Sequence, residues 1–357
     1  MSNFALPLYK SPMEHKTQKT HKLLVTLILL LAIGVCAAAV MYHILTRPVT
    51  KDKDLTLFLY PDATADSIIS IISESDSTAS TLGLGIWLKY LKYDSNPRSG
   101  CYTVTSMASA RKVAGILKGG MQTPVNITVR SCRNNAQMAR TLASQLMADS
   151  TGIATLLNSR EFLDSLGYTP ATVFCMIIPD TYQVYWNVSP RGLLERLVKE
   201  STGFWTDERK RKADAIGLST QQVMTLASII EEETSMSDEL PQVAGLYMNR
   251  LKKGMPLQAD PTVIFALGGE RPKRVLQAHL EVDSPYNTYK NPGLPPAPIR
   301  FVNPKSIDAV LNYSNHSYLY MCAKEDFSGY HNFATTYSQH MENARRYQRA
   351  LNQRGIR

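Results

Sequence analysis

Glu231, Glu232 and Glu233 stand in a row at the end of an apolar run, Leu226 to Ile230. Neighbouring carboxylates repel one another's charge, so whichever of them is partly desolvated keeps its proton towards neutral pH. A carboxylic acid in that state is a general acid. The plainer alternative is a solvated helix end whose charges stay in water.

The elements that must position these acids are legible. Ser219 and Gln222 have the spacing of a capping box, which predicts a helix starting near Ser219. At about 100° per residue, Val223, Met224, Leu226, Ala227, Ile229 and Ile230 share one apolar direction; Glu232 points away from it to solvent, and Glu231 and Glu233 flank it. Negative charge at a helix C-terminus opposes the peptide dipoles, so the arrangement costs stability and raises the acids' pKa further. A second helix follows from Ser237, with Leu240, Val243, Ala244, Tyr247 and Leu251 as its buried stripe and Gly254 as its stop. Packed against the first, it would hold the acid in place.

Beyond Leu257 the chain turns proline-dense and aromatic, through Ser284 to Tyr289 and Gly293 to Ile299. Amides and hydroxyls beside tyrosine rings suit sugars, whose apolar faces stack on aromatics. Gln258, Asp260, Asn287 and Tyr289 are the candidates for substrate positioning, Asp260 having a turn role before Pro261 as its alternative. Asp180 and Tyr182, at the end of a predicted buried strand from Phe174, lie where substrate contacts often occur. The seven histidines show no His-Glu-x-x-His spacing, so neither a metal cluster nor a cofactor is expected.

The chain has 357 residues, 44% of them hydrophobic and 19% charged, with a net charge of +9, enough for two soluble domains and a tail. The basic groups are diffuse and carry no nucleic-acid motif. Residues 1–22 form a polar tail, and residues 23–45 an apolar run long enough to cross a bilayer. The run exceeds the core of a cleaved signal and reads as a retained anchor, although Ala37 to Ala39 leaves cleavage open. The positive-inside bias puts the amino terminus in the cytoplasm. Residues 46–54 read as a linker, 55–130 as a small α/β unit and 131–357 as a larger mixed domain. The fold class is α+β.

In the small unit, Leu55 to Tyr60, Ser99 to Val104 and Val125 to Val129 read as strands, and Ala63 to Ile72 and Ser106 to Leu117 as helices, the latter ended by Gly119 and Gly120. Further on, residues 135–165 are helical in pattern, and Ser189 with Pro190 opens a helix running towards Asp214. A strand from Tyr318 to Cys322 and a closing helix from Tyr337 to Leu351 complete the chain. Cys101, Cys132, Cys175 and Cys322 allow three pairings or none.

Several blocks resemble the YceG-like family of membrane-anchored endolytic murein transglycosylases. They are Ala227 to Thr234, Pro241 to Val243 with Asn249 to Leu251, Gly254 to Val263, Tyr286 to Tyr289, Gly293 to Pro296 and Tyr318 to Tyr320, with His331, Phe333 and His340 beyond and Pro179 to Tyr182 before. Blocks in this order over roughly the last 140 residues are far more specific than one motif. The resemblance implies a periplasmic α+β region that cuts nascent peptidoglycan strands and leaves a 1,6-anhydro-N-acetylmuramic acid end. It implies Glu231 as the catalytic acid and a LysM-like, glycan-gripping subdomain over 55–130. Glu233, Tyr286 and Asp180 join the expected substrate contacts. The implied partners are glycan strands, the inner membrane and peptidoglycan synthases.

A lytic transglycosylase works with one carboxyl, first as acid and then as base. Two rivals remain: a two-carboxylate muramidase pairing Glu231 with Glu233 or Asp260, and an inactive envelope scaffold that only binds peptidoglycan.

Overall fold

The computed structural model describes residues 12–268 and 275–355. The chain is mixed α and β and divides into two units, Met1–Thr123 and Pro124–Arg357.

The first unit opens with α1 (Pro12–Thr46), whose stretch Thr20–Thr46 is long and apolar enough to cross a membrane once. Then come β1 (Leu55–Leu59), α2 (Ala65–Ser75), α3 (Leu82–Tyr90), β2 (Gly100–Val104) and α4 (Ala110–Gly119). Strands β1 and β2 pair antiparallel, with Leu55 opposite Val104 and Leu57 opposite Tyr102. Thr64 and Ser109 cap α2 and α4 by accepting from Ser67 N and Lys112 N. Leu57, Ile68, Leu84, Leu88, Tyr102 and Leu117 meet in the core. Residues 46–54 are no free linker. Val49 and Thr50 are buried, and Pro48 bridges Ser109.

The second unit begins at β3 (Val125–Thr128), so the strand expected in the small unit belongs to the large one. Three helices follow, α5 (Asn135–Ala143), α6 (Ser150–Leu157) and α7 (Arg160–Ser165). The apolar run from Phe174 is buried but not a strand. Its first residues form a 3₁₀ turn, and pairing starts only at β4 (Thr181–Val184), antiparallel to β3. Then α8 (Pro190–Phe204) and α9 (Asp207–Ala215) precede α10 (Thr220–Glu233) and α11 (Leu240–Lys252). Among its described residues the proline-dense stretch carries three further helices, α12 (Asp260–Ala266), α13 (Gln277–Leu280) and α14 (Pro304–Leu311), the first opened by Pro261 in a tolerated position. A hairpin of β5 (Tyr320–Ala323) and β6 (His331–Ala334) and the closing α15 (Tyr337–Gln353) end the chain.

Helix α10 is the axis of this unit. Its capping box forms as expected, Ser219 accepting from Gln222 N and Gln222 Oε1 from Ser219 N. Every residue from Val223 to Ile230 is buried, so the helix has no solvent face over that span. The two polar residues there are satisfied locally. Thr225 Oγ1 donates to Gln221 O, Ser228 Oγ donates to Thr225 O, and Ser228 Oγ accepts from Ile299 N. Helices α11, α12 and α14 pack around it. At Gly245 of α11 a Cβ would sit 2.3 Å from the Ser314 carbonyl oxygen, a close approach that lets Asn249 Nδ2 donate to His316 O and Tyr318 O. None of the five cysteines is in a disulfide.

Candidate active site

Three successive glutamates, rotated by about 100° each, meet three different surroundings. Glu231 accepts at both oxygens. Ser131 Oγ lies 2.6 Å from its Oε1, Arg300 Nη2 lies 3.3 Å from the same atom, and Asn303 N donates to Oε2 at 2.8 Å. Glu232 does not face solvent, because the segments around Arg133 and Arg300 cover that side of α10. Its side chain is 6% exposed and takes a fork from Arg133, Nε at 2.7 Å and Nη2 at 2.9 Å, and a third contact from Arg300. Two arginines and a serine thus hold the first two acids in a clamp that ties α10 to the chain near residues 131 and 300. Such charge-assisted, bidentate pairs are the strong kind.

Glu233 is different. It lines a pocket of about 210 Å³ with Tyr247, Arg250, Gln258, Asp260 and Tyr289. Tyr247 Oη donates to Glu233 Oε1 at 2.7 Å, which leaves Oε2 to carry a proton. Burial is the main cause that pushes the Glu233 carboxyl up to about 7; the Asp260 charge adds to it, and the Tyr247 hydrogen bond opposes it. The Tyr247 hydroxyl is itself pushed far up, first by burial and then by Glu233. Asp260, at the start of α12, accepts from Tyr289 Oη at 2.6 Å. Burial, and then Asp260, raise Tyr289, so both tyrosines stay hydrogen-bond donors.

The pocket wall is built by backbone pinning. Arg250 is buried and gives its donors to carbonyls, Nε to Leu319 O and Nη1 to Leu257 O, each at 2.7 Å, with Nη1 also 3.3 Å from Gln258 Oε1. Gln258 has φ of 52°, a left-handed conformation that a non-glycine residue holds only when its surroundings enforce it. Its N–H donates to Thr288 O, and Ala259 N donates to Thr288 Oγ1.

Of the expected substrate contacts, Gln258, Asp260, Tyr289 and Glu233 share this pocket. Asn287 does not reach it. The residue is fully buried, Nδ2 donates to Leu280 O and Val282 O, and Oδ1 accepts from Tyr289 N. It fixes the turn that presents Tyr289. Tyr286 turns inward onto the Phe265 ring, with centroids 4.8 Å apart. Asp180 is exposed and caps its own strand, accepting from Thr181 N at Oδ1 and from Val129 N at its carbonyl. Tyr247 and Arg250 were not foreseen. The signal for Tyr247 was a phenol on a buried stripe, since a buried hydroxyl needs a partner.

Asn287→Ala is expected to cost about 2 to 3 kcal/mol, because it strands three polar groups in the interior. Chemical denaturation would show a lower midpoint, and the displaced Tyr289 would weaken substrate affinity in the folded fraction.

The YceG-like family model matches residues 58–346. An endolytic murein transglycosylase of Bacillus subtilis is 29% identical over 330 residues, 87% of this chain and 90% of that protein. One from Streptococcus pneumoniae is 26% identical over 155 residues, 41% of this chain and 27% of that protein. A crystal structure of a YceG-like protein from Listeria monocytogenes aligns with a TM-score of 0.55 at 26% identity, covering 81% of this chain and 98% of that one.

Proposed function

The chain belongs to the YceG-like family, and on that premise we propose that it is a membrane-anchored lytic transglycosylase of peptidoglycan with Glu233 as its acid. Glu233 takes the role expected at Glu231. The observation that carries this is the carboxyl held near pH 7 in a pocket beside Asp260, Tyr289 and Gln258, whereas both oxygens of Glu231 are occupied by donors.

Glu233 Oε2 gives its proton to the oxygen joining N-acetylmuramic acid to N-acetylglucosamine as the C1–O bond breaks towards that oxygen. The resulting carboxylate then takes the proton of the C6 hydroxyl while O6 bonds to C1, closing the 1,6-anhydro ring. No water is consumed. The Asp260 carboxylate, fixed by Tyr289, supplies negative charge for the cationic ring. The strand–helix–helix–strand order of residues 55–104 supports a LysM-like grip on glycan in the first unit. The setting is the inner membrane, with the amino terminus cytoplasmic, the chain beyond α1 periplasmic, and nascent strands from a synthase as substrate.

Glu233 and Asp260 lining one pocket also favours a second reading, a two-carboxylate muramidase. Mass spectrometry of fragments from uncrosslinked glycan strands separates the two. Anhydro ends are expected, and reducing muramic acid ends would establish the hydrolase.

The acid must be protonated at the outset, so kcat/KM should fall about tenfold per unit once pH rises above the Glu233 pKa. Tyr247→Phe removes a bond that holds this pKa down and should move the alkaline limb upward. A limb unmoved by Tyr247→Phe would assign the titration to another group.

A further inference from the structure

The anchor does not end in a flexible tether. Where α1 stops, the chain is bonded at once to the rest of the first unit: Trp87 Nε1 donates to Leu45 O at 3.1 Å, Ala110 N donates to Arg47 O, and Val49 N donates to Ala108 O. Gly83 lies so close that a Cβ there would come within 2.1 Å of the Ile44 carbonyl oxygen. The N-terminal turns of α3 and α4 are therefore joined directly to the last turn of α1.

Helix α3 is apolar on more than one face. Leu84 and Leu88 enter the unit's core, while Leu82 is 64% and Tyr90 74% exposed, with Ile86 between them on the same stripe. A helix that is apolar all round needs cover on every side; α1, α2 and α4 pack against α3, while the side that carries Leu82 and Tyr90 stays exposed. Trp87 and Tyr90 meet edge to face, and Arg111 lies over the Trp87 ring. Arg47, Lys89 and Arg111 are exposed cations beside this stripe. A span that starts at Leu23, after Lys22, uses about 20 residues for the hydrocarbon core and reaches headgroup depth near Tyr42. Ile44 and Leu45, the residues held by Gly83 and Trp87, follow at once. Tryptophan, tyrosine and snorkelling cations at that depth are the usual composition of a membrane interface.

We infer that the outer stripe of α3, Leu82, Ile86 and Tyr90, is seated in the lipid leaflet from which α1 emerges, with Arg47, Lys89 and Arg111 against lipid phosphates. The inference rests on α1 crossing the bilayer. It holds for either orientation.

The test uses the full chain in nanodiscs of phosphatidylethanolamine and phosphatidylglycerol, doped with a lipid bearing a diazirine high on its acyl chain. Cross-links are mapped by mass spectrometry. Labelling of α3 is expected within about threefold of that around Tyr42, and the double variant Leu82→Glu, Tyr90→Glu should lower it about tenfold while α1 labelling and thermal stability stay unchanged. Labelled α1 with α3 at the level of α15 would overturn the docking and leave the anchor intact. No labelling of either would overturn both.

Discussion

Glu233→Gln is expected to abolish strand cleavage, by roughly 10³-fold or more in kcat, because one group serves as acid and then as base and general catalysis alone is worth about 10² to 10⁴. The amide keeps the shape and still accepts from Tyr247, so the fold and glycan binding survive. Stability should respond in the opposite sense to activity. The folded protein holds this proton up to about pH 7, whereas an unfolded glutamate releases it near the ordinary value of 4.5. The unfolded state therefore binds fewer protons between those values, and wild-type stability falls as pH rises through that window. At pH 8 the glutamine variant escapes this penalty, an upper limit of about 3 kcal/mol, and should melt several degrees higher than wild type. At pH 4 the two should converge. Glu231→Gln should do the reverse, losing stability by about 1 to 3 kcal/mol while the folded fraction cleaves within about tenfold of wild type. Full loss of cleavage in folded Glu231→Gln, with Glu233→Gln active, would return the acid to position 231.

Arg300→Met carries the second large effect, and it falls on the fold. Arg300 reaches both Glu231 and Glu232 and donates to Ser131 Oγ, with its side chain only 13% exposed. Without it, two adjacent carboxylates at a helix C-terminus keep one arginine between them, Arg133. Removing one partner from a buried ion cluster costs about 3 to 5 kcal/mol, which should appear as a large drop in the urea midpoint at neutral pH. The double change Glu231→Gln with Arg300→Met should recover part of that loss, since it removes one of the stranded charges. If Arg300→Met matched wild type in stability, the clamp would be a surface feature of no consequence.

Local signals in the sequence located most helices, because caps are local chemistry. Ser219 with Gln222, Thr64 and Ser189 with Pro190 each act within a few residues of themselves. Helix α3 was not legible, since Leu82 to Tyr90 holds two glycines and no polar face to set a period. The separation of Glu231 from Glu233 was not legible either. Helical rotation gives each acid a direction relative to the apolar stripe, but which flank meets a clamp and which a pocket depends on residues some 70 to 100 positions away, such as Ser131 and Arg300. Thr225 and Ser228, polar residues within the apolar run, are interior, satisfied by their own helix and by Ile299. Asn287 and Tyr286 fitted the sugar-binding composition, yet Asn287 fixes the turn before Tyr289 and Tyr286 packs inward on Phe265.

The three glutamates at the end of α10 make the length of that helix inflexible. One inserted residue anywhere between the Ser219 cap and Ile230 would turn the tip by about 100° and advance it by about 1.5 Å. Glu232 would then be delivered to the pocket and Ile230 to the place of Glu231, with Glu233 carried past both, losing anchorage and chemistry together. Drift in chain length is therefore confined to the connections around this helix, and α10 can change only by substitution.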